Sequence, residues 1–326
     1  MSRDMNYGEA AEPKARSFRF WLIRTIWCFG GITLVGTILG GVLFFCVTRT
    51  SGLRAQNRQD GQEVEIYSKE QIDKFITSVL IIVQNQPMGQ ESAQADMVFI
   101  ASFNAFEQRL TMVALADETL VQTEEYGDKS LGEAYALGGP GLLVNIINQS
   151  FGLDLQNYAC TDTHSLAVMI DLLGGIQTEL TQNEADYINN ALGNSGEGLH
   201  AGTVTLTGAQ SVVHAMDNLS GQEPLGSPRR SLKLIQSLVF NLRKTATKEA
   251  MLPLLSLLFS NIETNLDFTM LHDLGYEVLK AEEMEYQSLL IPCDGSWKAA
   301  GTNGEKLQAD IAQNGELLLE TLYNAQ

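Results

Sequence analysis

The sequence predicts an α/β domain, with helices flanking a mixed sheet in an α+β arrangement, behind one N-terminal membrane-spanning helix. Two observations support this prediction. Strand-like apolar runs alternate with helix-like stretches after residue 69, which is typical of helices covering a sheet. One uncharged apolar run covers residues 25–48, and a run of that length is typical of a bilayer crossing.

The apolar run divides the chain. Its 24 residues, bounded by Arg24 and Arg49, extend about 36 Å as a helix, against about 30 Å for a hydrocarbon core. A signal peptide has a shorter apolar core that ends in small residues, so we predict a membrane anchor. The prediction gives a tail (1–24), a transmembrane helix (25–48) and a juxtamembrane linker (49–68). The short basic head favours a cytoplasmic N-terminus and an extracytoplasmic body.

Charge excludes one class of function. Residues 51–326 carry 15 Lys and Arg against 36 Asp and Glu. So acidic a body repels polyanions, and we therefore expect no nucleic acid among the partners.

The elements of the body follow in order. Residues 68–83 have a helical pattern, but the β-branched run at 79–83 is equally compatible with a buried strand. Residues 97–103 and 109–116 predict two strands joined by a short turn. Pro140 is placed for a helix start, and a second helix ends at Gly174 and Gly175 before a strand. Helices are also predicted at 206–217, 230–247, 250–260 and 269–274.

Five short segments then stand in an order that resembles the LytR-CpsA-Psr family of bacterial cell-envelope proteins. They are DMVFI (96–100), RLTMVALADET (109–119), AYALGG (134–139), DLLGGI (171–176) and LTGAQS (206–211). The resemblance implies a family domain over residues 69–248, followed by a C-terminal extension (249–326) that packs on it.

The resemblance also implies an activity. Members of the family bind a polyprenyl-pyrophosphate glycopolymer and transfer the phospho-glycan to a peptidoglycan hydroxyl, expelling polyprenyl phosphate. Arginine side chains and Mg²⁺ neutralise the pyrophosphate in such a reaction, and an apolar pocket takes the lipid tail. The expected partners are therefore the membrane and a polyprenyl-linked glycopolymer or peptidoglycan, and the expected cofactor is Mg²⁺.

Several charged positions of the family pattern differ in this chain. Asp96 matches a metal-binding aspartate, but Asn85 stands where a second acidic ligand is expected. Asp117 replaces an arginine, and Met216 and Asn218 replace two more. Each charge-assisted bond to an anion contributes roughly 1.5–3 kcal/mol, so these losses predict weak pyrophosphate binding.

The basic residues that remain are the candidate pyrophosphate ligands: Lys129, Arg229, Arg230 and Lys233. The resemblance places the lipid tail among apolar side chains of two helices, and the candidates are Leu142, Leu143, Ile146, Ile147, Val168 and Ile170. Equally apolar residues build every protein core, so a purely structural role stays open.

Two further features concern assembly and oxidation. Gly36 and Gly40 form a small-xxx-small pair in the apolar run, which predicts a homodimer through the membrane helix. Cys160 and Cys293 could form a disulfide in an oxidising compartment, and the bridge would add up to about 4–5 kcal/mol in the chain-entropy model.

Three hypotheses of function stay open. The first is a weak or inactive relative that binds a polyprenyl-linked glycopolymer or pairs with an active ligase. The second is an active Mg²⁺-dependent phosphotransferase. The third is a structural or receptor-like ectodomain without a polymer ligand.

Overall fold

The computed structural model describes residues 65–67, 72–88, 93–123, 126–193, 198–217, 225–245, 262–280, 284–302 and 304–323. All of them belong to one unit, residues 61–326. The strands are β1 (Ile76–Gln84), β2 (Ala95–Asn104), β3 (Arg109–Leu115), β4 (Leu120–Thr123), β5 (Gly127–Ser130), β6 (Asn157–Asp162), β7 (Ile176–Leu180), β8 (Gly202–Leu206), β9 (Glu263–Thr264), β10 (Glu285–Ile291), β11 (Trp297–Ala300) and β12 (Lys306–Ala309). The helices are α1 (Leu131–Phe151), α2 (Thr163–Leu172), α3 (Gln182–Ala191), α4 (Gly208–Ala215), α5 (Gly226–Thr245), α6 (Phe268–Lys280) and α7 (Ile311–Tyr323).

Six strands form one mixed sheet in the order β10-β3-β2-β1-β6-β9. The strands β1, β2 and β3 run antiparallel in succession, whereas β6 pairs parallel with β1 and β10 pairs parallel with β3. Three two-stranded antiparallel sheets, β4–β5, β7–β8 and β11–β12, lie outside this sheet.

Each face of the sheet is covered by helices. Because side chains alternate along a strand, Ile82 and Ile100 enter one core with α1 and α7. Val83 and Phe99 enter the other core with α2, α4 and α5. The predicted α/β class, a mixed sheet flanked by helices, is confirmed.

Most predicted elements are confirmed with small shifts of their bounds. The ambiguous stretch 68–83 forms a strand from Ile76, because β1 lies between β2 and β6 with both faces covered. Helix α1 begins at Leu131, earlier than predicted. Gly138 and Gly139 leave the helical conformation, Gly139 at φ +66°, and Pro140 begins the second half.

The C-terminal stretch 249–326 contributes to the same core. It supplies β10 at one edge of the central sheet, and Leu318 and Leu322 of α7 pack with α1. The predicted helix at 250–260 lies outside the described residues.

The predicted tail, membrane helix, and Gly36 and Gly40 also lie outside the described residues, as does all of the predicted linker except residues 65–67. Within the described part of the chain, no helix has the length and apolarity needed to cross a bilayer.

Candidate functional site

A pocket with two aspartates lies where β2 begins and β3 ends. Asp96 and Asp117 line it from these two strand ends, which are neighbours because Val98 pairs with Leu115. The remaining lining residues are apolar or small: Met97, Val98, Phe99, Ala114, Leu115, Pro228 and Ser231. None of the lining residues is basic.

The start of α1 packs directly against this pocket. The Gly132 backbone N–H donates to the Asp117 carbonyl oxygen at 3.0 Å. A Cβ on Gly132 would lie 2.7 Å from the carbonyl oxygen of Ala95, so only glycine allows this approach. The strand ends are thereby held against the N-terminus of a helix.

Burial and neighbouring carboxylates raise the pKa of both aspartates in the pocket. Burial, and then the negative charge of Glu118, raise the pKa of Asp96 to about 6, although a hydrogen bond with Asn85 opposes the shift. Burial raises the pKa of Asp117 well above its usual range, and the nearby carboxylates of Glu118 and Asp96 raise it further. No lysine or arginine is among the causes of either shift. The pocket therefore disfavours negative charge on both aspartates, and no cation among these causes offsets that penalty.

This donor set fits a divalent cation in part. Mg²⁺ commonly binds one or two carboxylates in combination with substrate phosphates. Asp96 and Asp117 supply the carboxylates, and the Asn85 side chain lies beside Asp96. Within the described ranges, no group of three or more His, Cys, Asp or Glu side chains is arranged to hold a metal ion.

A lysine that the sequence did not indicate lies at the start of α1. Lys306 Nζ donates to Ser130 Oγ and to Glu133 Oε1, both at 3.0 Å. The resemblance implies a basic residue of the family pattern at the position of Ser130, next to the candidate Lys129. Strand β12 therefore brings a cation to that position from 176 residues away, and no local sequence pattern could indicate it.

The predicted basic residues of α5 do not line the acidic pocket. Arg229 is half-exposed, and its guanidinium lies 3.9 Å from Asp294. Arg230 Nε donates to the carbonyl oxygen of His214 at 3.0 Å, and its Nη2 donates to that of Asp217. Arg230 and Lys233 both line a second depression, between β7, α4 and α5.

The fourth predicted basic residue, Lys129, lies on β5 opposite Val121 of β4. It is separate from the lining of the acidic pocket, which is formed by β2, β3 and α5. The four candidate pyrophosphate ligands are thus not gathered in one place.

The prediction of a single lipid pocket was wrong in its residues. Leu143, Ile146 and Ile147 of α1 are buried in the core on one face of the sheet, with Leu142 packed against it. Ile170 of α2 is buried in the core on the other face, and Val168 is exposed. The sheet separates the two helices, so the six side chains cannot line one pocket.

The disulfide prediction was also wrong. Cys160 and Cys293 are both free, the first buried in β6 and the second just after β10. Between β10 and β6 lie three strands, which at about 4.8 Å per spacing put the two strands about 19 Å apart. A disulfide needs Cα atoms within about 7 Å.

A part-buried cluster of ionisable side chains was missed at the sequence level. His214 Nε2 lies 3.2 Å from Glu184 Oε1, and the Arg230 guanidinium lies 4.0 Å from the same oxygen. Burial lowers the pKa of His214, and the Arg230 charge adds to the shift while Glu184 opposes it. These contacts join α3, α4 and α5, so they serve the packing of three helices.

Fold and site define a mixed-sheet domain with a carboxylate pocket at two strand ends, between the starts of two helices. The sequence model of the LytR_cpsA_psr family matches residues 43–317. The chain therefore belongs to that family.

Individual relatives are distant. The regulatory protein MsrR of Staphylococcus aureus is 23% identical over 73% of this chain and 71% of its own length. The polyisoprenyl-teichoic acid–peptidoglycan teichoic acid transferase TagU of Oceanobacillus iheyensis is 24% identical over 80% and 81%.

Solved structures share the fold. The crystal structure of B. subtilis TagT has a TM-score of 0.63 at 14% identity, over 81% of this chain and 99% of TagT. The structure of YwtF (TagT) with bound octaprenyl pyrophosphate lipid has a TM-score of 0.59 at 14% identity, over 81% and 98%.

Proposed function

We propose that this chain is a single-pass protein of the bacterial cell membrane that binds a polyprenyl-linked glycopolymer and transfers it weakly or not at all. Its N-terminus would be cytoplasmic and its domain extracytoplasmic. The relatives support the ligand class, since one is named as a teichoic acid transferase and another was solved with a polyprenyl pyrophosphate. The proposal of low activity rests on one observation: the lining of the acidic pocket has two aspartates and no basic residue.

Electrostatics explains why such a pocket would bind pyrophosphate weakly. Charge-assisted hydrogen bonds from arginine are the strong contacts to phosphate oxygens. Here Asp117 occupies a position where the family pattern has an arginine, and the Arg230 guanidinium is already engaged by two carbonyl oxygens. In their ionised form, the two carboxylates would repel a pyrophosphate unless a cation lay between them.

We propose that Mg²⁺ is that cation, held by Asp96 and Asp117 with the Asn85 amide alongside. The raised pKa values of both aspartates support this, because a divalent ion would relieve the repulsion that causes part of each shift. When bound, Mg²⁺ would neutralise charge on the pyrophosphate. Lys306, at the start of α1, is a candidate for a second positive group.

Binding of a soluble short-chain analogue, geranyl pyrophosphate, tests the proposal in detergent solution. We expect feeble binding without Mg²⁺ and tighter binding with it. Asp117→Arg should tighten Mg²⁺-free binding about 10- to 100-fold, because it exchanges a repulsion for a charge-assisted bond. Asp128→Arg, at an exposed position on β5, is the matched control and should change little.

A second variant covers the case in which a buried arginine prevents folding. Asp117→Asn removes the charge at nearly constant volume and should give part of the gain. If both folded variants bind geranyl pyrophosphate no better than the unaltered chain does, charge at Asp117 does not limit binding.

The second candidate function is an active Mg²⁺-dependent phosphotransferase that attaches a glycopolymer to peptidoglycan. The carboxylate pair with Lys306 nearby favours it, as do the names of the relatives. Measuring the release of polyprenyl phosphate by the unaltered chain distinguishes the active phosphotransferase from the weak or inactive relative. Rapid Mg²⁺-dependent release that Asp96→Ala abolishes would establish the transferase. Mg²⁺-dependent binding without release would support a weak or inactive relative.

Partners follow from the same proposal. A chain that binds the carrier without turnover could act beside an active relative, or as a homodimer through Gly36 and Gly40.

A further inference from the structure

Helix α5 carries a basic stripe in an acidic domain. It contains five of the fifteen Lys and Arg residues that follow residue 50, and it has no acidic residue. Four side chains of α5 are exposed over residues 226–244, where burial is described: Arg229, Lys233, Phe240 and Lys244. Their spacings of four, seven and four residues place all four on one face of the helix. We call this face the α5 stripe.

Phe240 distinguishes the stripe from an ordinary solvated face. Its side chain is 68% exposed and lies between Lys233 and Lys244. An exposed aromatic ring among cations can enter the interface of an anionic bilayer while the cations attract its headgroups. The opposite face of α5 is anchored in the domain by Leu232, Leu234 and Ile235.

A second exposed aromatic patch provides a comparison. Phe75 and Phe106, the latter 83% exposed, lie together at the other end of the central sheet from Asp96 and Asp117. Asp73 and Glu107 flank these rings, and Lys74 is the cation over Phe75. Charge complementarity to an anionic surface therefore favours the α5 stripe.

We propose that the α5 stripe docks on the anionic surface of a lipid bilayer. The net charge of the body reinforces the orientation, because an anionic surface repels the acidic faces and attracts this one. A bilayer suits the stripe better than a polymer chain does, since the stripe is a convex helix face about 22 Å long. The inference builds on the proposed function: Pro228 and Ser231, on the side of α5 away from the stripe, line the acidic pocket, so docking would hold that pocket about one helix diameter from the lipid-carrier headgroups.

The test uses the full chain in nanodiscs and the variant Phe240→Trp, whose emission is measured after subtraction of the parent's signal. Brominated acyl chains should quench this residue in discs with about 30% phosphatidylglycerol, and much less in phosphatidylcholine discs. Phe106→Trp, at the other end of the sheet, is the position control and should stay unquenched in both.

Charge variants in the Phe240→Trp background test whether the lysines of α5 cause the docking. Each cation near an anionic surface strengthens docking about fivefold, so Lys233→Gln with Lys244→Gln should lower the docking constant on the order of 30-fold and abolish quenching. Lys74→Gln with Lys298→Gln changes the net charge equally at two exposed lysines outside α5 and should retain quenching.

Several results would overturn the proposal. The proposal fails if residue 240 is not quenched in either lipid, or if it is quenched equally in both. It also fails if the two charge variants lose quenching to the same extent. If soluble poly(glycerol phosphate) alone shields residue 240 from solvent, the stripe binds a polymer instead of a bilayer. If the shielding of residue 240 from solvent grows with the number of protein copies per disc, the α5 stripe mediates self-association instead. Geranyl pyrophosphate binding in detergent needs no bilayer, so a failure of docking stays distinct from a failure of the proposed function.

Discussion

At the residue scale, the environment of Asp96 and Asp117 decides the chemistry of the site. A carboxylate on a strand end is usually solvated and ionised at neutral pH. These two share a pocket with apolar side chains and lie close to Glu118, so ionising one makes ionising the next harder. The site is therefore built to accept positive charge.

The first prediction concerns Asp96 and pH. Its pKa is about 6 in the folded chain against 3.8 for the unperturbed group, so stability should fall as pH rises from about 4 to about 6. Asp96→Asn removes this cost and should stabilise the chain by about 1–2 kcal/mol at pH 7.5, allowing for partial exposure. At pH 4 the gain should vanish.

Thermal unfolding in detergent, followed across pH, measures this effect. Asp128→Asn, an exposed carboxylate on β5, is the control and should shift the curve little at any pH. An Asp96→Asn gain that is the same at pH 4 and pH 7.5 would contradict the electrostatic origin.

At the element scale, helix ends explain what the basic residues of α5 do. Helix α4 ends at Ala215, and the last carbonyl groups of a helix lack partners within it. Ser227 and Ser231 donate to the Ala215 carbonyl oxygen, and Arg230 donates to those of His214 and Asp217. The first turn of α5 thus caps α4, and Arg230 belongs to this cap.

The second prediction follows for Arg230. Arg230→Met keeps the apolar stem but leaves two carbonyl groups without their donor and Glu184 without its neighbouring cation, so unfolding should become easier by about 2–4 kcal/mol. Arg229→Met, one position earlier and half-exposed, should cost less than about 0.5 kcal/mol. Denaturant titration of both variants measures the difference. Unchanged stability of Arg230→Met together with lost pyrophosphate binding would make Arg230 a ligand instead.

The sequence predicted the local elements better than the partners of its charged residues. The strands β2 and β3 were predictable because their apolar runs are bounded by a turn. The strand β1 was ambiguous because a strand buried on both faces shows no alternation. Lys306 and the Glu184–His214 pair join positions far apart in the chain, and a single sequence gives no signal for such contacts.

The third prediction concerns Cys160 on β6 and Cys293 just after β10, which lie too far apart in the fold for a bridge. In denaturant without reductant, Cys160 and Cys293 should both react with a thiol reagent. In the folded chain Cys160 should react far more slowly, because it is fully buried and burial raises the pKa of its thiol. Mass spectrometry of labelled peptides gives both results. Two unlabelled cysteines under denaturing conditions would contradict the strand order.

At the scale of the whole molecule, the proposed function depends on where the domain lies. The pocket can meet a polyprenyl-linked glycopolymer outside the cytoplasm only if the chain crosses the membrane before residue 61. The charge-free run at 25–48 predicts that crossing, and the short basic head predicts its direction.

The fourth prediction tests this topology. Alkaline phosphatase, which needs an oxidising compartment, should be active when fused after Gln326, and a cytoplasm-dependent fluorescent protein fused there should be dark. The same pair fused before Met1 should give the reverse result. Replacing Leu34 and Ile38 by arginine puts two charges in the middle of the apolar run, at about 2.5–3.5 kcal/mol each on insertion scales. Both reporters should then indicate a cytoplasmic C-terminus. An active fluorescent reporter after Gln326 in the unaltered chain would place the acidic pocket in the cytoplasm, away from peptidoglycan, and so contradict the proposed function.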